Sequence, residues 1–167
     1  ENIFKEDLQR LFSEIQFYSP KKIIIVGDLF HSSMNKEHEL FLRWRKPITC
    51  YDIHLVKGNH DILKDDWYQN AEIKLHNKNY SRSNFSFTHD INECEKNNEK
   101  YCFSGHIHPG VYISGLAKQS LNLPCFYFTE KYAVLPAFGK FTGTFIIKPK
   151  TGDAVFILAE NKILQLQ

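Results

Sequence analysis

"KKIIIVGDLF", residues 21–30, is the stretch on which the fold turns. Four β-branched residues in succession, Ile23 to Val26, are stopped by Gly27. A run of that length with no polar interruption reads as a strand buried on both faces of a parallel or mixed sheet. Asp28 then stands at the carboxyl end of the strand, where open α/β sheets gather their ligands. The same grammar of strand, break and polar residues returns in "YDIHLVKGNHD" (51–61), "SNFSFTHD" (83–90) and "YCFSGHIHP" (101–109). Four strand ends therefore deliver Asp28, then Asn59, His60 and Asp61, then His89, then His106 and His108.

Outward from these strands, Leu8, Leu11, Phe12 and Ile15 recur at helical spacing among Asp7, Arg10 and Glu14, which predicts a helix over residues 5–17 that ends before Pro20. A second helix is expected from Asn35, as N-cap, to Arg45, with Leu40, Phe41 and Trp44 inward. After Gly110 the texture changes to short β-rich segments bounded by Gly, Pro and "KTGD" turns, which predicts mostly antiparallel sheet. Residues 91–100, "INECEKNNEK", read as a polar loop. Helices alternate with strands early and strands dominate late, so the fold class is α/β with two mixed sheets flanked by helices. With 167 residues, 43% of them hydrophobic and 14% aromatic, one domain over 1–167 is expected. The chain opens at Glu1 and its sole methionine is Met34, so an upstream segment is expected beyond Glu1.

Composition removes several function classes. A net charge of +2 is too mild for a polyanion-binding footprint. Lys21, Lys22, Arg43, Arg45, Lys46 and Lys57 are scattered, and the group at 43–46 reads as a solvated helix face. Cys50, Cys94, Cys102 and Cys125 form no C-x-x-C pair, which argues against zinc ribbons and reads as four reduced thiols in a cytoplasmic protein. The longest apolar run is far short of the roughly 20 residues of a membrane span, so no membrane partner is expected. His38, His54 and His76 stand singly and read as surface or packing residues.

Ligand chemistry follows from the remaining side chains. Residues i and i+2 of a strand point the same way, so His106 and His108 are expected to address one site from one wall. Carboxylate, amide and imidazole donors without thiolate favour Mn²⁺, Fe, Zn²⁺ or Ni²⁺ over an all-oxygen Mg²⁺ site.

"GD" at 27–28, "GNHD" at 58–61, a strand-end histidine at 89 and "GHIH" at 105–108 resemble, in order and spacing, the calcineurin-like metallophosphoesterase family. "GDLFH", "GHIHPG", "LPCFYF" and "LPAFGKFTG" look like its bacterial branch of ligase-associated DNA-repair phosphoesterases and endonucleases. The resemblance implies an α-β-β-α sandwich and two divalent ions, with Mn²⁺ favoured. Asp28 would bridge them, Asn59, His89 and His106 would complete one site, and His108 would belong to the other. His60, steered by Asp61, would sit beside the substrate phosphate with Asn59, as acid or charge stabiliser. The family's D-x-H motif, which supplies the second site, is not found between Glu1 and Asp28, so this piece is expected to hold one ion or none.

What the resemblance implies for activity is hydrolysis of phosphodiester bonds by a metal-activated water, with DNA as the substrate suggested by the branch, and a DNA ligase and a helicase as partners. Other readings stay open: a phosphomonoesterase or nucleotide phosphodiesterase, or a non-catalytic scaffold on the same fold like the retromer subunit that resembles these enzymes. Retention of His60 argues against the scaffold. His31 either lines the substrate cleft or is an exposed loop residue. Phe87, Tyr101 and Phe103 read as core, and Phe126, Tyr127 and Phe128 either complete the second sheet or feed a homodimer interface.

Overall fold

The computed structural model describes residues 2–30, 36–93, 100–114, 120–140, 142–160 and 162–166. The fold is mixed α/β, and the chain divides into two compact units, Glu1–Lys78 with Phe138–Lys140, and Asn79–Ala137 with Phe141–Gln167. Among the described residues no helix is long and apolar enough to cross a membrane.

The first unit holds helices α1 (Asn2–Tyr18), α2 (Lys36–Arg45) and α3 (Asp65–Asn70), with strands β1 (Lys22–Ile25), β2 (Asp52–Val56) and β3 (Ile73–His76). The strands form a sheet in the order β1-β2-β3 that is parallel throughout, not mixed. The all-apolar run predicted a strand buried on both faces, yet β1 is only partly buried at each position, because it lies at the edge of this sheet. The central strand β2 takes the fully buried place.

Alternation along the strands divides the sheet into two unlike faces. Ile23, Ile25, Ile53, Leu55, Ile73 and Leu75 join the core built with the helices. There Phe30 stacks edge-on against Phe41 and Trp67, at ring separations of 5.5 and 5.2 Å. His38 is fully buried with its ring 4.2 Å from that of Phe30, so it is a packing histidine.

The solvated-face expectation for residues 43–46 holds for Arg43 and Lys46, which are exposed, and fails at Arg45. It is 4% exposed, and its guanidinium donates to the main-chain carbonyls of Ala71, Ile48, Tyr51 and Glu72. A buried charge has to be met by hydrogen bonds, and these carbonyls belong to two chain segments that Arg45 ties together.

The other face of the sheet carries Lys22, Asp52, His54, Lys74 and His76. Asp52 accepts from Lys22 Nζ at 2.5 Å and Lys74 Nζ at 2.7 Å. His54 Nε2 lies between Lys22 Nζ and Asp52 Oδ2, the latter 3.1 Å away, and His54 Nδ1 is 2.8 Å from His76 Nε2. Burial first, then His54 and Lys22, holds the His76 imidazole below its ordinary range.

The second unit holds β4 (Asn79–Arg82), β5 (Phe85–Thr88), β6 (Tyr101–Ser104), β7 (Pro109–Ser114), β8 (Ser120–Phe128), β9 (Tyr132–Val134), β10 (Phe145–Ile146), β11 (Ala154–Ala159) and β12 (Lys162–Gln165). They form one sheet in the order β10-β7-β8-β9-β6-β5-β4, with β11 on β8 and β12 on β11. The pairs β5/β6, β6/β9 and β10/β7 are parallel and the others antiparallel. Its core gathers Val111, Cys125, Tyr127, Val134, Val155 and Ile157. Cys50 and Cys125 are free thiols, the latter pushed up to about 11 by burial, whereas Cys102 is disulfide-bonded, against the reading of all four as reduced.

The depressed His76 gives a test of the polar face. A histidine whose folded pKa lies below its unfolded value of 6.5 adds stability above that pH, and the contribution is lost as pH falls toward the folded value. Thermal unfolding followed by circular dichroism from about pH 8 to pH 5 should show the midpoint falling below about pH 6.5. In His76→Gln that acid limb should be shallower than in the wild type.

Candidate functional site

Two turns of the first unit are knotted together. Gly27 and Asp28 both take left-handed backbone, at φ 83° and 53°, so the chain reverses sharply as β1 ends. Glycine does this at no steric cost and aspartate tolerates it better than most residues. The loop after β2 meets that reversal at Gly58, where a Cβ would lie 2.2 Å from Asp28 Oδ1 and 2.6 Å from the Asp28 nitrogen. Only glycine fits a contact that tight.

Asp61 fastens the two turns. Its Oδ2 accepts the N–H of Asp28 at 2.8 Å and of Gly58 at 2.9 Å, and Oδ1 accepts the N–H of Leu29 at 3.0 Å. The carboxyl is 3% exposed. Burial pushes its pKa up, opposed by these main-chain donors, and neighbouring Asp28 adds to the rise. Sequence reasoning assigns Asp61 to steering the His60 ring, but both its oxygens are taken up by main-chain N–H groups of the two turns. The tie to His60 runs through the backbone, because Asp28 Oδ1 accepts the His60 N–H at 2.9 Å. Asn59 and His60 are exposed on this turn.

In the second unit His89 directly follows β5 and is buried, while His106 and His108 lie between the end of β6 and the start of β7. The two are not strand residues, so the alternation argument for one shared wall does not apply to them. Both take left-handed backbone, at φ 63° and 50°. Such conformations cost on the order of 1–3 kcal/mol each and gather at functional sites. Asp28, His106 and His108 are all candidate ligands, and each carries this strain. Gly105 N–H donates to the His89 carbonyl at 3.0 Å, which sets the two histidine loops side by side.

The rings of His89 and His106 meet edge to face, with His89 Nε2 2.9 Å from His106 Nδ1. Two nitrogens about 2.0–2.1 Å from one ion, at tetrahedral or octahedral angles, would stand about 2.9–3.4 Å apart. The pair therefore has the bite of a shared divalent ion. Beside it Asp90 accepts the N–H of Asn92, which holds its carboxyl below the usual range with help from the two histidines. His31 lies outside the described residues. Sequence reasoning missed Gly58 as a contact residue and Tyr68 as a neighbour of the site. Tyr68 is fully buried, and burial with the charge of Asp61 raises its pKa. The signal for Gly58 is its place one residue before Asn59. Tyr68 gave none, because an aromatic on a helix reads as core.

The model of the calcineurin-like phosphoesterase family matches residues 4–87, half of the chain, and the protein belongs to that family. Among solved structures it is similar to the Pseudomonas putida nuclease MPE, at 25% sequence identity and a TM-score of 0.82, over 98% of this chain and 78% of that one. Comparison with the curated proteins returns no match. The family match ends before His89, so the three histidines of the second unit stand on their motif spacing and on the structural likeness.

Asp61→Asn tests the knot. It keeps the size of the side chain but turns an acceptor oxygen into a donor that faces main-chain N–H groups. An unmet buried donor costs about 1–3 kcal/mol. Urea unfolding should show a loss of that order, whereas Asp90→Asn, at a less buried position in the second unit, should lose less.

Proposed function

We propose that the protein is a metal-dependent phosphoesterase that acts as a nuclease on the phosphodiester bonds of DNA. The coarser statement, a phosphoesterase of the calcineurin-like family, follows from the family match. The observation that carries the finer reading is the pairing of the "GD" and "GNHD" turns by Asp61, which holds Asp28 and presents Asn59 and His60 on a structure similar to a nuclease.

In this reading Asp28 and Asn59 of the first unit, and His89, His106 and His108 of the second, are the metal ligands. The oxygen and imidazole donors suit Mn²⁺, Fe, Zn²⁺ or Ni²⁺. Bound divalent ions supply this chemistry by acidifying water and neutralising charge on the phosphoryl oxygens. The chain itself contributes the proton on the other side of the reaction. In this reading His60 protonates the leaving oxygen, which its exposure and the bond from its own N–H to Asp28 support. Asp61 acts through the main chain by holding the turn on which His60 sits. Hydrolysis of nucleotides or phosphomonoesters uses the same groups and differs only in the substrate admitted. A scaffold without activity has no use for His60.

A preparation of the intact protein with Mn²⁺ should cleave single- or double-stranded DNA in preference to a model monoester. His60→Ala should lower the rate by about 10²- to 10⁴-fold while Mn²⁺ binding, followed by calorimetry, is retained. Asp28→Asn should lose both binding and activity. Cleavage of monoesters alone would sink the nuclease reading, and a silent His60→Ala would favour the scaffold.

A further inference from the structure

His108 is held against two preferences of its own backbone. Its φ of 50° lies in the left-handed region, which residues other than glycine avoid. The residue after it is Pro109, and a proline pushes the residue before it toward extended backbone. Pro109 also has no N–H, so a main-chain hydrogen bond can hold the peptide that joins the two only at the His108 carbonyl. Phe145 N–H supplies that bond at 2.9 Å. Whatever fixes Phe145 therefore bears on His108.

Strand β10 is a weak anchor by itself. It is two residues long and lies at the edge of the sheet, and its side chains, Phe145 and Ile146, are 61% and 38% exposed. At its C-terminal end it is secured by Ile147, which joins the core and donates its N–H to the Gly110 carbonyl at 2.9 Å. At its other end stands Thr144, whose Oγ1 accepts from Asn122 Nδ2 at 2.6 Å. Asn122 belongs to β8, and β7 lies between β8 and β10, so this bond passes over β7. Strands two apart in a sheet are separated by about 9.5 Å. Two short side chains meet across that distance only where the strand between them carries none, and Gly110 is that place. A Cβ there would lie 2.8 Å from Asn122 Oδ1, and 2.8 and 2.9 Å from Thr144 Cβ and Oγ1.

We propose that Asn122 and Thr144 are positioning residues for His108. Their bond across Gly110 fixes the start of β10, so that the Phe145 N–H holds the His108 carbonyl and, through it, the left-handed turn that presents the imidazole. The inference rests on the reading of His108 as a metal ligand. It deepens that reading by naming two residues that touch no ion yet set the geometry of a ligand. An ion requires its donors within about 0.2 Å of their proper distance. A turn that relaxes toward the extended backbone favoured before Pro109 therefore withdraws the ligand.

The clamp is read first in the intact protein without metal, by nuclear magnetic resonance. In left-handed backbone an amide proton lies unusually close to its own Hα, and His108 should show the correspondingly strong cross-relaxation peak. Thr144→Val, which keeps the shape of the side chain and removes Oγ1, should weaken that peak, and so should Asn122→Ala. Thr144→Ser retains the hydroxyl and should keep the peak. Ser120→Ala, which removes a hydroxyl bonded to Tyr112 on the same pair of strands, should leave it unchanged. Calorimetry with Mn²⁺ then reads the ligand. Thr144→Val and Asn122→Ala should raise the dissociation constant by about 2- to 10-fold, the worth of one ordinary hydrogen bond, with Thr144→Ser close to the unaltered protein. A weak peak in the unaltered protein overturns the proposal, as does a strong one in both Thr144→Val and Asn122→Ala. So does Mn²⁺ affinity that is unchanged in those two variants while His108→Ala weakens it. Unchanged Mn²⁺ binding in His108→Ala overturns the ligand reading instead, and the peak then decides the clamp by itself.

Discussion

One buried carboxylate, Asp61, accepts N–H donors from two turns that are 33 residues apart in sequence at its Asp28 contact. Without it the reversal at Gly27 and Asp28 and the turn from Gly58 to His60 would have main-chain N–H groups facing each other with no acceptor, and buried N–H groups have to be paired. The arrangement also explains the glycine between them, since the turns approach closely enough that a methyl group at 58 would strike the Asp28 carboxylate. Position and chemistry are therefore set by the same contact. Asp28 is held by its main chain, and His60 is held by Asp28.

The second unit reaches its geometry by another route. β6 is paired in parallel on both sides, with β5 and with β9, so the register of the strand leading into "GHIH" is fixed twice. Beyond Ser104 the chain has to turn sharply to enter β7, and it does so through left-handed backbone at His106 and His108. Strain of that kind survives only where the surroundings over-determine the conformation. The carbonyl of His108, bonded by the Phe145 N–H at 2.9 Å, and the carbonyl of His89, bonded by Gly105, supply some of that constraint.

Much of this was legible from the residue pattern, for physical reasons that also mark its limit. Apolar runs ended by glycine located β1, β2 and the strand ends, because burial and backbone reversal leave signatures in residue type. The spacing of Leu8, Leu11, Phe12 and Ile15 located α1, though the helix starts three residues earlier, at Asn2. What failed depended on neighbours in space. Arg45 looked like a surface cation because its four carbonyl partners include two from a segment 26 and 27 residues away. His106 and His108 looked like strand residues because period-2 spacing says nothing about where the strand stops. Asp61 was placed beside the right residue for a different reason from the one the structure gives. The sidedness of the aromatic strands β5 and β6, where Phe87 and Phe103 are only half-buried, could not be read, since alternation is the same whichever face meets water.

Arg45 has a bearing on how the first unit assembles. Its donors are met in part by carbonyls of its own helix end and the following turn, and in part by Ala71 and Glu72 after α3. The guanidinium is answered in full only with both segments in place, and a buried charge left short of partners is costly. Docking of the segment after α3 and burial of Arg45 are therefore coupled, and the residue fastens the two segments in the finished molecule.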